Sequence, residues 1–504
     1  MDIFSPTSLI LIPLIATPII YLGGRLANLQ SGRQLSLSRW LALFALLLMW
    51  LPFVQTAREN IFVCPCEFTV GLITLRFDGL SVLLAGLALL LGTLVVFFSS
   101  ESMAGEPGES KYYAMLVAMV GMMIGLGGAY DLFNLWLWFE GMAISSYLLV
   151  AFYRERPSTL EASMKYLVQS SLGSVLVLLG IALVFGTTGQ LRFDALAQAT
   201  ASANLPVLLA AGGLFTIGFG VKVALVPLHT WLPDAHSQAP SGISAMLSGV
   251  VIEAGLVALL RALSLLGTVP TTWGELLMAF GLLNMVVGNL LALRQQQVKR
   301  LLAYSSLTHI GYMLVGLGIA LYAGQSAGAQ GSFFHLLNHG LMKGLAFLAA
   351  GALLYAFTSQ QKDSGDHGLT IADLAGASRR YPLAALAFSL AILGLAGLPP
   401  LAGFMSKWQI FVAGVAADDG LITAVILFAA LNSVFSLAYY APLVNMIYRQ
   451  TPSLAVEGGR PLPATINLPL VLLAAAVVVL GIWPNLVSNF TELAATAVMA
   501  ALGG

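Results

Sequence analysis

Fourteen apolar stretches, each close to the length that crosses a bilayer, run through the chain with only short polar segments between them. A membrane helix needs about 20 mostly apolar residues. The stretches fall at roughly 7–24, 40–56, 79–99, 112–130, 131–152, 162–186, 205–227, 240–266, 273–294, 301–322, 330–357, 382–413, 421–447 and 465–487. Only 9% of the 504 residues are charged and 59% are hydrophobic, whereas soluble domains carry about 25% charge. This excludes a soluble globular enzyme, a disordered protein and a nucleic-acid binder. The 22 basic and 22 acidic side chains cancel, so no electrostatic footprint for DNA or RNA remains. The sequence therefore predicts an all-α polytopic membrane protein forming a single membrane domain.

Basic residues test the span count. Lys and Arg accumulate in cytoplasmic loops. Of the basic residues assigned to loops, fourteen lie in odd-numbered loops, among them Arg25, Arg33, Arg154, Arg156, Lys299, Arg300, Lys362, Arg379, Arg380 and Arg460. Three lie in even-numbered loops: Arg58, Arg76 and Arg192. The asymmetry places the odd loops in the cytoplasm and both termini on the opposite side. Met1-Asp2 opens without a basic segment, so the first span is read as retained. The segment 58–78 alternates and is rich in β-branched and aromatic residues. It reads as an extramembrane hairpin.

A charge at the centre of a membrane helix costs about 2.5–3.5 kcal/mol on insertion scales. This chain places several there. Glu140 lies in span 5, Lys222 in span 7, Glu253 in span 8 and Lys407 in span 12. His309 lies in span 10. His335, His339 and Lys343 recur at i, i+4 and i+8 in span 11 and share one helix face. Lys165 opens span 6, where a snorkelling role competes equally with a functional one. Arg261 reads as structural. Glu140, Lys222 and Lys407 are too deep to snorkel. Buried ionisable groups of this kind are the material of proton relays.

Two spans read as broken. Lys222 precedes Pro227 and Pro233, and Lys407 follows Pro399-Pro400. Proline removes a backbone donor and clashes with the preceding turn. Carbonyls freed at membrane depth must face protein or water, so each lysine is expected beside a small hydrated cavity. The lysine pairs Lys165/Lys222 and Lys343/Lys407 repeat in the two halves of the chain. Spans 4–8 (112–266) and 9–13 (273–447) then form two five-helix sets, the second inverted. Residues 1–111 hold spans 1–3 and the hairpin, and 465–504 the last span and a tail.

Smaller signals carry less. Two thiols, Cys64 and Cys66, complete neither a zinc site nor an iron–sulfur cluster and read as structural or incidental. The glycines of Gly121–Gly128 lie within a span and read as a packing surface. Loop-anchoring and proton-access roles fit Asp234 and His236 equally.

Four blocks then carry a specific resemblance. PLHTWLPDAHSQAPSGISAMLSG (Pro227–Gly249), VKRLLAYSSLTHIGYM (Val298–Met313), HLLNHGLMKGLAFLAAG (His335–Gly351) and LAGLPPLAGFMSKW (Leu395–Trp408) resemble, in order, the antiporter-like subunits of complex I. With DLFNLWLWFE they cover roughly 110–410. The same family includes Mrp-type cation/proton antiporters and membrane-bound hydrogenases. The resemblance implies fourteen spans and two inverted repeats. It implies that Glu140 pairs with Lys222 and that Lys407 is the span-12 lysine of N-like, L-like and Mrp D-like members. It places His309, His335, His339 and Lys343 on a central hydrophilic axis. One position departs from the pattern: the usual span-8 lysine is Glu253 here. The chain also ends without the lateral helix of the L-like subunit.

The resemblance implies a proton-translocating subunit of a complex-I-like NAD(P)H/quinone oxidoreductase. A D-like subunit of an Mrp Na+/H+ antiporter, a hydrogenase subunit and a structural subunit with an inactive relay are the alternatives. No cofactor is expected in this chain. The expected partners are other membrane subunits, the bilayer, protons and, in the Mrp reading, Na+. A bacterial plasma membrane or a thylakoid fits this reading. Burial favours a neutral lysine and a nearby carboxylate favours a charged one. Motion of Glu140 relative to Lys222 is therefore expected to switch proton holding and release, with transfer past Glu253, His309, His339 and Lys343 to Lys407.

Overall fold

The computed structural model describes residues 5–31, 37–62, 65–71, 73–266, 270–357 and 368–501. Cys64, Arg33 and Lys362 lie outside them.

Among the described residues, thirteen helices are long and apolar enough to cross a membrane. The fourteenth expected span, span 12, is present as two 15-residue helices, Pro382–Ala396 and Ala402–Ala416. The protein is an all-α polytopic membrane protein. The hairpin is present with a shifted start. Its strands are Cys66–Val70 and Ile73–Phe77, antiparallel, with Val70 opposite Ile73. Arg58 instead belongs to span 2, Leu37–Phe62, whose last turns run through the polar stretch Gln55–Asn60.

Polar residues fix the helix ends. Asp78 caps span 3 (Gly79–Ser102) in a reciprocal box with Ser81. Asp131 caps span 5 (Leu132–Val150), and Asp419 caps the helix Gly420–Phe435 of span 13. Each accepts an otherwise orphaned first-turn N–H. Among the helices outside the predicted spans are the linker helix Trp231–Gln238 and two more. Phe193–Ala199 lies between spans 6 and 7. Ser488–Ala501 follows span 14 and packs so closely on span 3 that a Cβ at Gly79 would stand 2.4 Å from the Leu493 carbonyl carbon.

Burial defines the centre. The most apolar window of span 8 (Ser241–Ser264) is wholly buried, and those of spans 10 (Val298–Ala323) and 11 (Ser326–Phe357) are 89% buried. Spans 1, 2, 6, 13 and 14 form the rim. Span 11 packs against parts of spans 3, 8, 10, 12 and 14.

Close approach depends on glycine. On span 9, Gly274, Gly281 and Gly288 recur every seven residues. A Cβ at each would come within 2.9 Å of span-10 backbone atoms. Gly121, Gly125 and Gly128 of span 4 pack on Pro13, Trp138 and Phe77, which makes them a helix-packing surface. At the centre, Gly249 and Gly340 bring spans 8 and 11 into backbone contact: a Cβ at Gly340 would lie 2.6 Å from the Gly249 carbonyl oxygen. This contact positions the site.

Arg261 ties the bundle laterally. Its guanidinium donates to both Asp78 oxygens at 2.8 and 3.1 Å, to Ser81 and to the Gly127 carbonyl. Burial alone would raise the Asp78 pKa. Arg261 and the Ser81 hydrogen bonds outweigh it and hold the carboxyl below its ordinary value.

Candidate functional site: a buried polar row

Lys222 ends the first half of broken span 7, Leu205–Val223. Ala224 takes a left-handed conformation (φ 60) and stops the helix. The Lys222 ammonium is buried and donates to the Tyr166 hydroxyl at 2.8 Å. It lies 4.4 Å from the Tyr166 ring, with Phe139 and Trp231 at 5.9 and 6.0 Å. Tyr166 and Trp231 stack at 4.0 Å, and Trp231 donates to the Val221 carbonyl. The side chains around the lysine form an aromatic box. Aromatic faces attract a desolvated cation.

Glu140 is the residue after Phe139 and acts electrostatically on Lys222. Among the described residues no ion pair within 4 Å joins them, and Glu140 Oε2 is buried without a hydrogen-bond partner. Span 8 covers the other side of the lysine: a Cβ at Gly255 would stand 3.1 Å from Lys222 Cγ.

Glu253 follows a five-residue π-helical turn, Leu247–Val251, a feature often found at functional positions. Glu253 Oε1 lies 2.7 Å from His339 Nδ1, and both residues are fully buried. The far atoms, Glu253 Oε2 and His339 Nε2, have no partner among the described residues.

The row continues through the second half. The His339 and His309 rings are 5.1 Å apart. His309 Nδ1 is 3.0 Å from His335 Nε2, and His335 Nδ1 is 2.8 Å from the Ser406 hydroxyl. Lys407 is the next residue. Its ammonium donates to the Leu395 carbonyl and to Ser433, both at 2.9 Å, and lies 4.7 Å from the Tyr312 ring. The lysine thus satisfies carbonyls freed where span 12 breaks. Lys343, one turn beyond His339, donates to the Leu302 carbonyl at 2.7 Å and to Ser305.

Lys165 stands apart from this row. It is half exposed and pairs with Glu161 and Asp234. Asp234 also binds Arg300 at 2.6 Å, so it anchors the linker helix Trp231–Gln238 to spans 6 and 10.

Asn284, Asn338 and Lys299 were not singled out from the sequence. Asn284 serves the first break, accepting from Val226 N–H at 2.8 Å and donating to the Ala224 carbonyl. Asn338 donates to the Ala402 carbonyl at the second break. Lys299, assigned above to a loop, is buried and donates to the Ala239 carbonyl at 2.5 Å. His236 is in electrostatic reach of both Lys299 and Lys343 and stacks on Phe347. Neither of its ring nitrogens has a partner among the described residues. Among the described residues, no three His, Cys, Asp or Glu side chains are grouped to hold a metal ion.

Comparison with known proteins places this arrangement. A family described as "NADH:quinone oxidoreductase/Mrp antiporter, TM" matches residues 129–436, which takes in both broken spans and the whole polar row. The chain belongs to this family of antiporter-like membrane subunits. It is 33% identical to F(420)H(2) dehydrogenase subunit N of Methanosarcina mazei over 440 residues, 86% of each chain. It is 36% identical to NADH-quinone oxidoreductase subunit N 1 of Sorangium cellulosum over 391 residues, 75% of this chain and 74% of that one. Among solved structures, a chain of the archaeal membrane-bound sulfane sulfur reductase superposes with a TM-score of 0.84 at 28% identity, covering 99% of both. A chain of Thermus thermophilus respiratory complex I gives 0.75 at 29%, covering 94% of this chain and 98% of that one. A chain of the Mrp complex of Dietzia sp., at 21% identity and a TM-score of 0.85, shares the fold.

Proposed function

We propose that this chain is a proton-translocating subunit of a multi-subunit, complex-I-like oxidoreductase and moves protons along the buried row. The observation that carries this reading is continuity. Glu253, His339, His309, His335 and Ser406 come from four spans yet follow one another at hydrogen-bond or ring-contact distance, and Lys407 is the residue next to Ser406, all buried. Six titratable or hydroxyl groups in line at the centre of a membrane domain are costly as packing, and each can hold or pass a proton.

Lys222 holds the proton in its aromatic box. Approach of Glu140 favours the charged lysine, and its retreat favours release toward span 8. Glu253 carries the proton across the contact between the halves, the task of a lysine elsewhere in the family. His339 and His309 bridge to His335, and Ser406 passes the proton to Lys407. Moving one charge against 100 mV costs about 2.3 kcal/mol; partner subunits supply that work.

Access fits the odd-loop side, which the basic-residue bias assigns to the cytoplasm, with both termini opposite. A polar cavity of about 290 Å³ there is lined by Glu106, Arg156, Gln238, Gln297 and Lys299. Lys299 of its lining and Lys343 of the row both act electrostatically on His236.

The test uses the intact complex reconstituted in vesicles. Lys222→Ala and, separately, Lys407→Ala are expected to abolish coupled proton movement while the complex still assembles. Proton movement at the wild-type level in both assembled variants would overturn the proposal.

A further inference from the structure

His309 is joined to the row by a hydrogen bond on one side only. Its ring lies 5.1 Å from that of His339. His339 Nδ1 is taken by Glu253, and His339 Nε2 has no partner among the described residues. Among the described residues, His309 hydrogen-bonds to two side chains. Nδ1 meets His335 at 3.0 Å, and Nε2 meets the Tyr440 hydroxyl at 3.5 Å. A neutral imidazole carries one N–H and one acceptor nitrogen. A proton that arrives at Nε2 from Tyr440 therefore frees the Nδ1 proton for His335.

Tyr440 is a fully buried residue of span 13. The hydroxyls of Ser305 and Tyr439 act on it from nearby. Ser305 accepts from the Lys343 ammonium. Lys343 follows His339 by one helical turn and is in electrostatic reach of both His339 and His236. Lys343, Ser305, Tyr440 and His309 thus stand in series.

A buried polar anchor holds the tyrosine. The Tyr439 ring lies 4.3 Å from that of Tyr440. Its hydroxyl donates to Asn289 Oδ1 at 2.8 Å, an oxygen that also accepts from Thr308 at 3.0 Å.

Tyr440 also lies beside a joint. Span 13 is two helices, Gly420–Phe435 and Leu437–Ile447, that meet at Ser436. The Ser436 hydroxyl donates to the Ser433 carbonyl at 2.7 Å, a local bond that competes with the helical ladder. Pro442 leaves the Ala438 carbonyl without its helical donor. Ser433, one turn before the joint, accepts from Lys407 at 2.9 Å, and Tyr440 lies one turn after it. A separation of 3.5 Å is longer than the usual hydrogen bond, so a small bend at Ser436 makes or breaks the Tyr440–His309 link.

We propose that Tyr440 is a proton-passing residue that joins Lys343 to His309. This deepens, and rests on, the relay proposed above. Lys343 gives a proton to the Ser305 oxygen, Ser305 gives its own to the Tyr440 oxygen, and Tyr440 gives its own to His309 Nε2. An ammonium becomes an amine, an imidazole becomes an imidazolium, and both hydroxyls end as they began. The Ser305 hydroxyl donates to the Leu302 carbonyl at 2.8 Å and turns about one bond to serve Tyr440.

The test is coupled proton movement by the intact complex in sealed vesicles. Wild type is compared with Tyr440→Phe, Ser305→Ala and the double variant, and Lys407→Ala reports on the relay itself. Tyr440→Phe keeps the ring beside Tyr439 and removes only the hydroxyl. Ser305→Ala cuts the same path on its other side and covers a folding defect in the first variant. Each single variant should lose about a hundredfold, the low end for one proton-transfer group where transfer limits the rate. The double variant should fall no further than either single one, because both changes cut one path. Wild-type movement in Tyr440→Phe with Lys407→Ala inactive would overturn the link and leave the relay standing. Losses that multiply in the double variant would also overturn the link, since they mark two separate defects. Wild-type movement in Lys407→Ala as well would overturn the relay and the link with it.

Discussion

Glu253 of span 8 and His339 of span 11 share a 2.7 Å hydrogen bond at the contact between the two halves of the protein, with no solvent exposure on either side chain. A buried carboxyl beside an imidazole holds one proton between two sites, and the pair titrates as a unit. Glu253→Gln keeps the shape and removes the site. Proton-transfer groups contribute about 10²–10⁴-fold where transfer limits the rate. Coupled proton movement is therefore expected to fall by about two orders of magnitude, with assembly intact, as read from vesicle acidification. Glu253→Lys, which restores the residue type usual in the family, should recover more activity than Glu253→Gln.

The Gly249–Gly340 contact sets that distance. Gly340→Ala would place a methyl group 2.6 Å from the Gly249 carbonyl oxygen, so spans 8 and 11 must separate. Overpacking of this kind costs about 1–3 kcal/mol. The variant should melt earlier and lose proton movement more than its stability loss explains. A melting curve and a transport assay on the same preparation check this.

The lateral tie makes a prediction independent of transport. Removing one partner of a buried pair costs about 3–5 kcal/mol, so Arg261→Ala should strongly destabilise the bundle. The sign of the pH effect follows from Asp78, whose folded-state pKa lies below the ordinary value of 3.8. Its contribution is fully present above that value and is lost as pH falls through the lower folded value. Thermal unfolding of wild type between pH 5 and 8 should therefore show no change attributable to this pair, and Asp78→Asn should remove the acid-side loss.

Tyr166 is the hydrogen-bond acceptor for Lys222. Tyr166→Phe keeps the ring and the stack on Trp231 while removing the hydroxyl. A buried charge that loses its partner neutralises rather than staying unpaired. The change should shift the pH dependence of transport with little effect on melting; a large melting shift with an unmoved pH profile would contradict the role given to Tyr166.

The sequence made the charged half of the site legible because a charge inside an apolar run is costly enough to stand out. Glu140, Lys222, Glu253 and Lys407 announce themselves this way, and the prolines beside two of them mark the broken spans. The stripe of His335, His339 and Lys343 follows from helix periodicity alone. Neutral partners do not stand out. Asn284, Asn338, Tyr166 and Ser406 are ordinary residues in helices, and only the fold shows that they serve the freed backbone groups or bridge the row. Lys299 misleads for a different reason. Next to Arg300 it reads as one more loop cation, yet it is buried against the Ala239 carbonyl. Lys165, left open between two roles by the sequence, makes an exposed pairing with Glu161 and Asp234.

One link of the row can be removed while every lysine and carboxylate stays in place. His335 joins His309 at 3.0 Å to Ser406 at 2.8 Å. His335→Phe keeps an aromatic ring there and removes both nitrogens. The most direct measurement is the number of protons moved per electron pair by the intact complex in sealed vesicles, wild type against His335→Phe. The proposed relay predicts a lower number in the variant at undiminished assembly. An unchanged number, with the variant fully incorporated, would contradict it.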